Sequence, residues 1–296
     1  MKDLRQSQNW AKYLREIGWI TELIEDNYVF IKKIGPFSLI KIQRPDIISE
    51  KFIQAVDDIS RKEKTLFIKI EPKNDEQVKL LKEHGYVKSL SPLIPSSTVI
   101  LNLSPKIEDI KKTFSTNVKR ILRKAENSDI THSFCVNPSY EELSDAYDTF
   151  EDSANFKKFG LPSFAEVHKQ STAFASDSKL LVTRMGKTPI AATLSFIVDE
   201  RAYLIYAGTS KEGRERNAGH TNMFETIKKL KECGYSEFDL EGIFDERFGK
   251  VQDSWLGFSH FKKMYCKNEV LFPFPYTKTT MPLIQKIEQK MGRLPF

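Results

Sequence analysis

The order in which apolar patterns follow one another constrains this chain more than any single residue does. A helix-spaced segment from Asn9 to Ile17 puts Trp10, Tyr13, Leu14 and Ile17 on one face and stops at Gly18. Three strand-like runs follow, WITELIED, YVFIKKIG and FSLIKIQ, with Gly35 and Pro36 forming the turn between the last two. Ser49 to Arg61 is helix-patterned, TLFIKIEP is a buried strand ended by Pro72, QVKLLKEHGYV is a helix closed by Gly85, and STVILNLS (Ser97 to Ser104) is a strand. After Pro138 a similar order returns. Helices from Tyr140 to Phe150 and near Ser163 to Ser176 precede the strands KLLVTRMGK, IAATLSFIVDE and RAYLIYAGTS. A further helix and strand in HTNMFETIKKLKECGYSEFDLEGI then lead to the closing FKKMYCKNEVLFPFPY. This mixture predicts an α/β (α+β) chain. The shared "helix, Gly, Tyr, strand" of LLKEHGYVKSL and KLKECGYSEFDL predicts a duplicated domain.

A length of 296 residues suits two domains of ordinary size. The boundary is expected near Ile130 to Asn137, after a basic helix, giving domains 1–134 and 135–280; a tail helix at 281–292 would pack back on the first. The 21 Phe residues supply material for two cores, and the 40% hydrophobic and 29% charged content excludes extensive disorder. No run of roughly 18 apolar residues predicts a membrane span. The first residues, MKDLRQSQNWAKYL, carry no apolar core of a secretion signal. The three cysteines, Cys135, Cys233 and Cys266, form neither a zinc pattern nor a disulfide framework. A cytoplasmic protein without a metal site is therefore expected.

The net charge of +6 fits either a lysine-rich solvated surface or attraction to a polyanion. Its distribution narrows the choice: Lys112, Lys119, Arg120, Arg123 and Lys124 crowd one helix-patterned stretch whose Phe114, Val118, Ile121 and Leu122 form the buried side. Such a face is either solvated or in contact with phosphates. On RAYLIYAGTS, alternation puts Arg201 and Tyr203 on one face and Tyr206 on the other; the arginine can pair with phosphate or carboxylate, and the tyrosines are otherwise core. Asp239 and Glu241 alternate to one side of their strand, where a carboxylate can take a proton from an amine, orient it, or simply cap the backbone. His220 has no metal-spaced partner and reads as a surface residue.

Several segments in order resemble the FemABX family, peptidyl aminoacyltransferases of bacterial cell-wall precursors. SQNWAKYLREIGW is similar to its opening helix. STVILNLSPKIEDIKKTFSTNVKRILRKAE looks like its strand and Arg-x-x-x-Arg-Lys-Ala helix. YLIYAGTS is similar to its Tyr-x-Tyr-Ala/Gly-x-Ser strand and FDLEGI to its Tyr-Asp-hydrophobic-Gly-Gly-Ile, while GFSHFKKMY, Gly257 to Tyr265, resembles its Gly-hydrophobic-x-x-Phe-Lys ending. Phe238 and Glu241 depart from the pattern, standing where the family often has Tyr and the first Gly. The resemblance implies two tandem GNAT-like domains with a cleft between them, each a mixed, mostly antiparallel sheet flanked by helices. It further implies an aminoacyl-tRNA donor, a muropeptide acceptor carried on UDP or lipid, and no cofactor.

In that motif Lys262, after Phe261, faces the donor ester and steadies the tetrahedral oxyanion, with Lys263 its rival by one residue of register. Lys32, Lys33 and Lys41 flank the region where the family binds precursor, and the basic helix becomes a candidate for tRNA phosphates. Peripheral contact with the inner membrane face, no DNA, and a monomer complete these expectations. Two alternatives stay open. One is a coenzyme A-dependent N-acyltransferase using acetyl-CoA, because RNAGHT (Arg216 to Thr221) partly resembles the GNAT pyrophosphate loop; a plain turn capped by Thr221 is the simpler reading. The other is a non-catalytic member that binds precursor or RNA.

Overall fold

In the computed structural model the described residues are 1–125 and 129–279. They divide into two compact units. One comprises Met1–Ser96, Asp245–Phe248 and the described part of Leu271–Phe296; the other comprises Ser97–Phe244 and Gly249–Val270. The division expected between 134 and 135 is thus drawn between 96 and 97. The cause lies in the stretch expected to be a linker. Ile130–Val136 is a strand, paired antiparallel with Ser178–Met185 from Ile130↔Met185 to Val136↔Lys179, and that ladder commits it to the second unit. The tail helix expected at 281–292 lies outside the described residues.

The first unit opens with helix α1 (Gln8–Glu16), whose Ser7 side chain accepts from Trp10 N–H as an N-cap. Strands β1 (Ile20–Ile24), β2 (Asn27–Ile34) and β3 (Phe37–Gln43) form an antiparallel meander, and helix α2 (Glu50–Lys62) crosses to β4 (Thr65–Glu71), which pairs parallel with β3. Helix α3 (Asp75–Glu83) leads to the two-residue β5 (Val87–Lys88), and β13 (Tyr276–Thr279) returns from far along the chain to sit between β4 and β5. Val29, Ile31, Ile40, Ile42, Ile68 and Ile70 bury one sheet face against Phe52, Ile53, Val56, Val78 and Leu81 of α2 and α3. Each such side chain contributes about 1.5–3 kcal/mol. Strand alternation sends Phe30, Lys41 and Lys69 to the other face, in register across β2, β3 and β4.

The second unit holds a seven-stranded sheet. Its strands are β6 (Ser97–Asn102), β7 (Ile130–Val136), β8 (Ser178–Met185), β9 (Thr188–Val198), β10 (Arg201–Thr209), β11 (Glu237–Asp239) and β12 (Glu269–Leu271), in the order β12-β6-β11-β10-β9-β8-β7. Its helices are α4 (Ile107–Thr113), α5 (Thr116–Ala125), α6 (Tyr140–Lys157), α7 (Phe164–Phe174), α8 (Lys211–Glu215), α9 (Ala218–Glu232) and α10 (Leu256–Lys263). The expected continuous basic helix is two. Phe114 turns extended (ψ 153) to bury its ring edge-on to Tyr265 at 5.1 Å, and Ser115 restarts the helix by accepting from Val118 N–H. Val118 and Leu122 of α5 then pack with Met223, Ile227 and Leu230 of α9.

The two Gly-Tyr motifs end their helices identically. Tyr86 N–H bonds Leu81 O and Tyr235 N–H bonds Leu230 O, with Gly85 at φ +79 and Gly234 at φ +88 taking the left-handed residue that a side chain resists. The strands they introduce are not equivalent, however. β11 runs parallel to β10, whereas β5 is antiparallel to β13. The topological counterpart of α9–β11 is α2–β4, the other helix that crosses between parallel neighbours. The duplication expected from the sequence is present, offset from the motif that announced it.

Candidate active site

The second unit contains a cavity of about 570 Å³, a size suited to a small molecule or the end of a larger one. Strand β10 forms one wall, the first turns of α9 a second, the end of α6 with Phe159 to Leu161 a third, and α10 the last. Every residue lining it belongs to this unit.

A bulge shapes the β10 wall. Register shifts between Leu204 and Tyr206, so Leu204 faces Ser195 while Tyr206 faces Leu194, and Leu204, Ile205 and Tyr206 all reach the cavity. The extra residue reverses the alternation read from the sequence. Arg201, Tyr203 and Tyr206 oppose Val198, Phe196 and Leu194 and therefore share one face. Of the three only Tyr206 lines the cavity, its hydroxyl donating to Gln170 Oε1 at 2.9 Å and its ring 5.8 Å from Phe150. Tyr203 is fully buried, and Arg201 forks onto Glu237 at 2.7 Å. Below the bulge the wall is fixed by backbone contact: a Cβ at Gly208 would stand 2.2 Å from Thr149 O, and one at Gly213 would stand 1.9 Å from Ile190 O.

Lys262 and Phe261 project from α10 into the cavity. Lys262 Nζ donates to Gly242 O at 2.8 Å and sits 5.0 Å from the Phe258 ring centre. Burial pulls its pKa down to about 8, opposed by the negative charges of Glu241 and Asp239 and assisted by Lys157. At pH 7 it is still an ammonium. Lys263 instead pairs with Glu269 at 2.9 Å and is not among the residues that line the cavity. Asp239 and Glu241 are buried behind Lys262. Asp239 accepts from the Thr98 hydroxyl and from Glu241 N–H at 2.8 Å, and neither carboxylate lines the cavity. Glu241 holds φ +59, a conformation glycine takes freely and other residues adopt at a cost of about 1–2 kcal/mol. The glutamate at this place thus keeps a glycine-type backbone, and the turn it makes presents the Gly242 carbonyl to Lys262.

The first turn of α9 supplies the residues that sequence reading missed. Its cap is Asn217, left-handed at φ 58, and Thr221 lies inside the helix, donating to Ala218 O; the expected Thr221 cap is one turn late. His220 is a half-buried cavity residue rather than a surface one, with its ring 4.8 Å from Phe261 and Nδ1 2.7 Å from the Tyr265 hydroxyl. Burial lowers its pKa, leaving it neutral at pH 7. Arg214, held by Asp152 at 2.8 Å, and Lys157 add positive charge to the same wall.

The remaining expected residues lie elsewhere. In the first unit Lys41 Nζ sits over Trp19 at 4.1 Å and Phe30 at 5.8 Å, with its pKa brought to about 8 by burial, raised by Glu71 and lowered by Arg5 and Lys32. Lys32 donates to Ile17 O at 3.1 Å beside the same Trp19. Lys33 pairs with Glu63. On the basic face Lys112 pairs with Asp109 at 2.7 Å, Arg120 donates to Asn117 at 2.9 Å, Lys119 donates to Lys112 O and Arg123 to Lys119 O, and Lys124 is exposed. Among the described residues no group of three or more His, Cys, Asp or Glu is placed to hold a metal ion, and no helix is long and apolar enough to cross a membrane.

Residues 112–250 match the family described as an acetyltransferase (GNAT) domain. Among solved structures, FemX superposes with a TM-score of 0.80 at 16% identity, covering 97% of this chain and 95% of that one. The C-terminal domain of a putative lysylphosphatidylglycerol synthetase from Agrobacterium fabrum gives 0.66 at 12% identity (97% and 91% covered), and L-PGS from Bacillus licheniformis gives 0.62 at 16% (95% and 91%). No curated protein matches the sequence. The matched segment, the two mixed sheets flanked by helices and the superposition along nearly the whole chain give this protein a FemABX-like, GNAT-type fold.

Proposed function

We propose that the chain is an aminoacyltransferase that moves an amino acid from aminoacyl-tRNA to the peptide amine of a peptidoglycan precursor carried on UDP or lipid. The observation that carries this reading is the Lys262 ammonium, half-buried at the wall of a cavity with Phe258 and Phe261 in its lining and aimed by the Gly242 carbonyl. In the transfer the acceptor amine attacks the ester carbonyl, and negative charge gathers on the carbonyl oxygen. A cation fixed there in a poorly hydrated site stabilises that charge more than it stabilises the ester. Collapse of the intermediate breaks the C–O bond to the ribose, and the proton lost by the amine reaches the departing oxygen directly or through water. Asp239 and Glu241 serve by keeping Lys262 charged.

The α4–α5 cations Lys112, Lys119, Arg120, Arg123 and Lys124 are assigned to tRNA phosphates, a contact that weakens with salt. Lys41 and Lys32, beside Trp19, are assigned to the anionic part of the precursor. The similarity to FemX and to lysylphosphatidylglycerol synthetase supports aminoacyl transfer.

The competing coenzyme A reading draws on one observation, the first turn of α9 at the cavity wall, where the amides of a helix N-terminus suit phosphate. Incubating pure protein with charged tRNAs and a UDP- or lipid-linked muropeptide should add the mass of one amino-acid residue. Acetylation from acetyl-CoA with no aminoacyl product from any charged tRNA would overturn the proposal.

A further inference from the structure

We infer that His220 is a second fixed hydrogen-bond donor of the cavity, presenting Nε2–H to an oxygen of the bound acyl donor, and that Tyr265 is the residue that fixes it; the identity of that donor rests on the function proposed above. The inference starts from a buried hydroxyl. Tyr265 is fully buried and its ring lies between Phe114 at 5.1 Å and Phe261 at 5.4 Å. Burial holds its phenol well above the usual range, so it keeps its proton at any physiological pH. That proton needs an acceptor, since an unpaired buried hydroxyl costs about 1–3 kcal/mol.

Two acceptors are within reach: His220 Nδ1 at 2.7 Å and His220 O at 3.5 Å. The first is the usual length for a hydroxyl donor and the second is at the limit of a hydrogen bond. Donation to Nδ1 obliges a neutral imidazole to carry its proton on Nε2, the nitrogen on the other edge of the ring. The ring is held by its packing on Phe261 at 4.8 Å and by the Tyr265 hydroxyl at Nδ1, in the first turn of α9.

His220 therefore differs in kind from a general base. Its lone pair is occupied by a tyrosine that does not give up its proton, and its free edge is a donor. Lys262 and His220 line the same cavity from α10 and α9, and Phe261, which precedes the lysine, packs its tilted ring against the imidazole. One charged and one neutral donor can share an acyl oxygen as it gains charge, without any proton moving to or from the histidine.

The test begins with imidazole ¹⁵N spectra of the full chain labelled at histidine, with His220→Gln identifying the resonance. The expected result is the Nε2–H tautomer at pH 7, giving way to a tautomer mixture in Tyr265→Phe. An Nδ1–H tautomer or an imidazolium in the wild type would overturn the inference. In aminoacyl transfer, His220→Ala should lower kcat by about a hundredfold, and Tyr265→Phe should lower it by less. His220→Gln, whose amide supplies a donor near Nε2, should stay within a few-fold, and the pH profile should keep its shape in all three. Equal loss in the Gln and Ala variants, or disappearance of an acid limb, would refute the donor role. A wild type with the Nε2–H tautomer but no aminoacyl transfer would refute the assigned ligand while leaving the fixed histidine standing.

Discussion

Lys262 of the second unit and Lys41 of the first have been brought to the same pKa, about 8, by the same cause, burial. Their surroundings differ. Lys262 borders open volume and is steered by one carbonyl, with its countercharges Glu241 and Asp239 kept behind it. Lys41 lies over the Trp19 ring, with Lys32 and Arg5 competing for the same field and Glu71 the opposing carboxylate. A depressed lysine pKa therefore identifies neither a catalyst nor a binding group by itself. The space in front of the ammonium marks out Lys262: it lines a cavity in which charge can develop.

Substituting each lysine should separate the roles. Lys262→Ala is expected to lower kcat by about 10²–10³ with KM little changed, the loss typical of one oxyanion donor; single-turnover kinetics would measure it, and a loss confined to KM would make Lys262 a binding residue. Lys41→Met should raise KM for the precursor roughly tenfold and leave kcat nearly untouched. It should also stabilise the protein by about 1–3 kcal/mol at pH 7 in denaturant unfolding, because a partly desolvated charge is removed. The sign follows from linkage: with the folded pKa near 8 below the unfolded 10.5, the unfolded chain binds more protons between those values, so wild-type stability rises with pH across that window and should rise less in the variant.

The smallest effect tests the charge behind Lys262. The wild-type rate should fall as pH passes about 8, where the ammonium is lost. In Glu241→Gln that alkaline limb should move to lower pH, with a rate deficit of roughly threefold at pH 8. A rate that instead climbs through pH 8 would make Lys262 a base.

Much of the scaffold was readable from period and punctuation. The meander of β1 to β3, α2, α3 and the run β8 to β10 follow from alternation, helix spacing and glycine caps, which are local properties. ITHSFCV escaped because it is an edge strand with much of its surface exposed, so its composition reads as loop until β8 supplies a partner. The β10 bulge escaped for a similar reason: an inserted residue shows only against the neighbouring strand, and it moved Tyr206 to the face of Tyr203. At the cavity, Lys262 was legible because its motif is contiguous. His220 was not, since what orients it is Tyr265, 45 residues further on. A lone histidine carries no local mark of a tertiary hydrogen bond.

The contacts of Gly208 with Thr149 and of Gly213 with Ile190 are made by main chain on both sides, so no rotamer can absorb an added carbon. This sets an unequal freedom to drift. Descendants of this chain can exchange Phe159, Leu161 or Tyr206 and so reshape what the cavity admits, while the two hydrogens at 208 and 213 must be inherited unchanged. A lineage can therefore change its substrate side chain by side chain without rebuilding the wall that holds it.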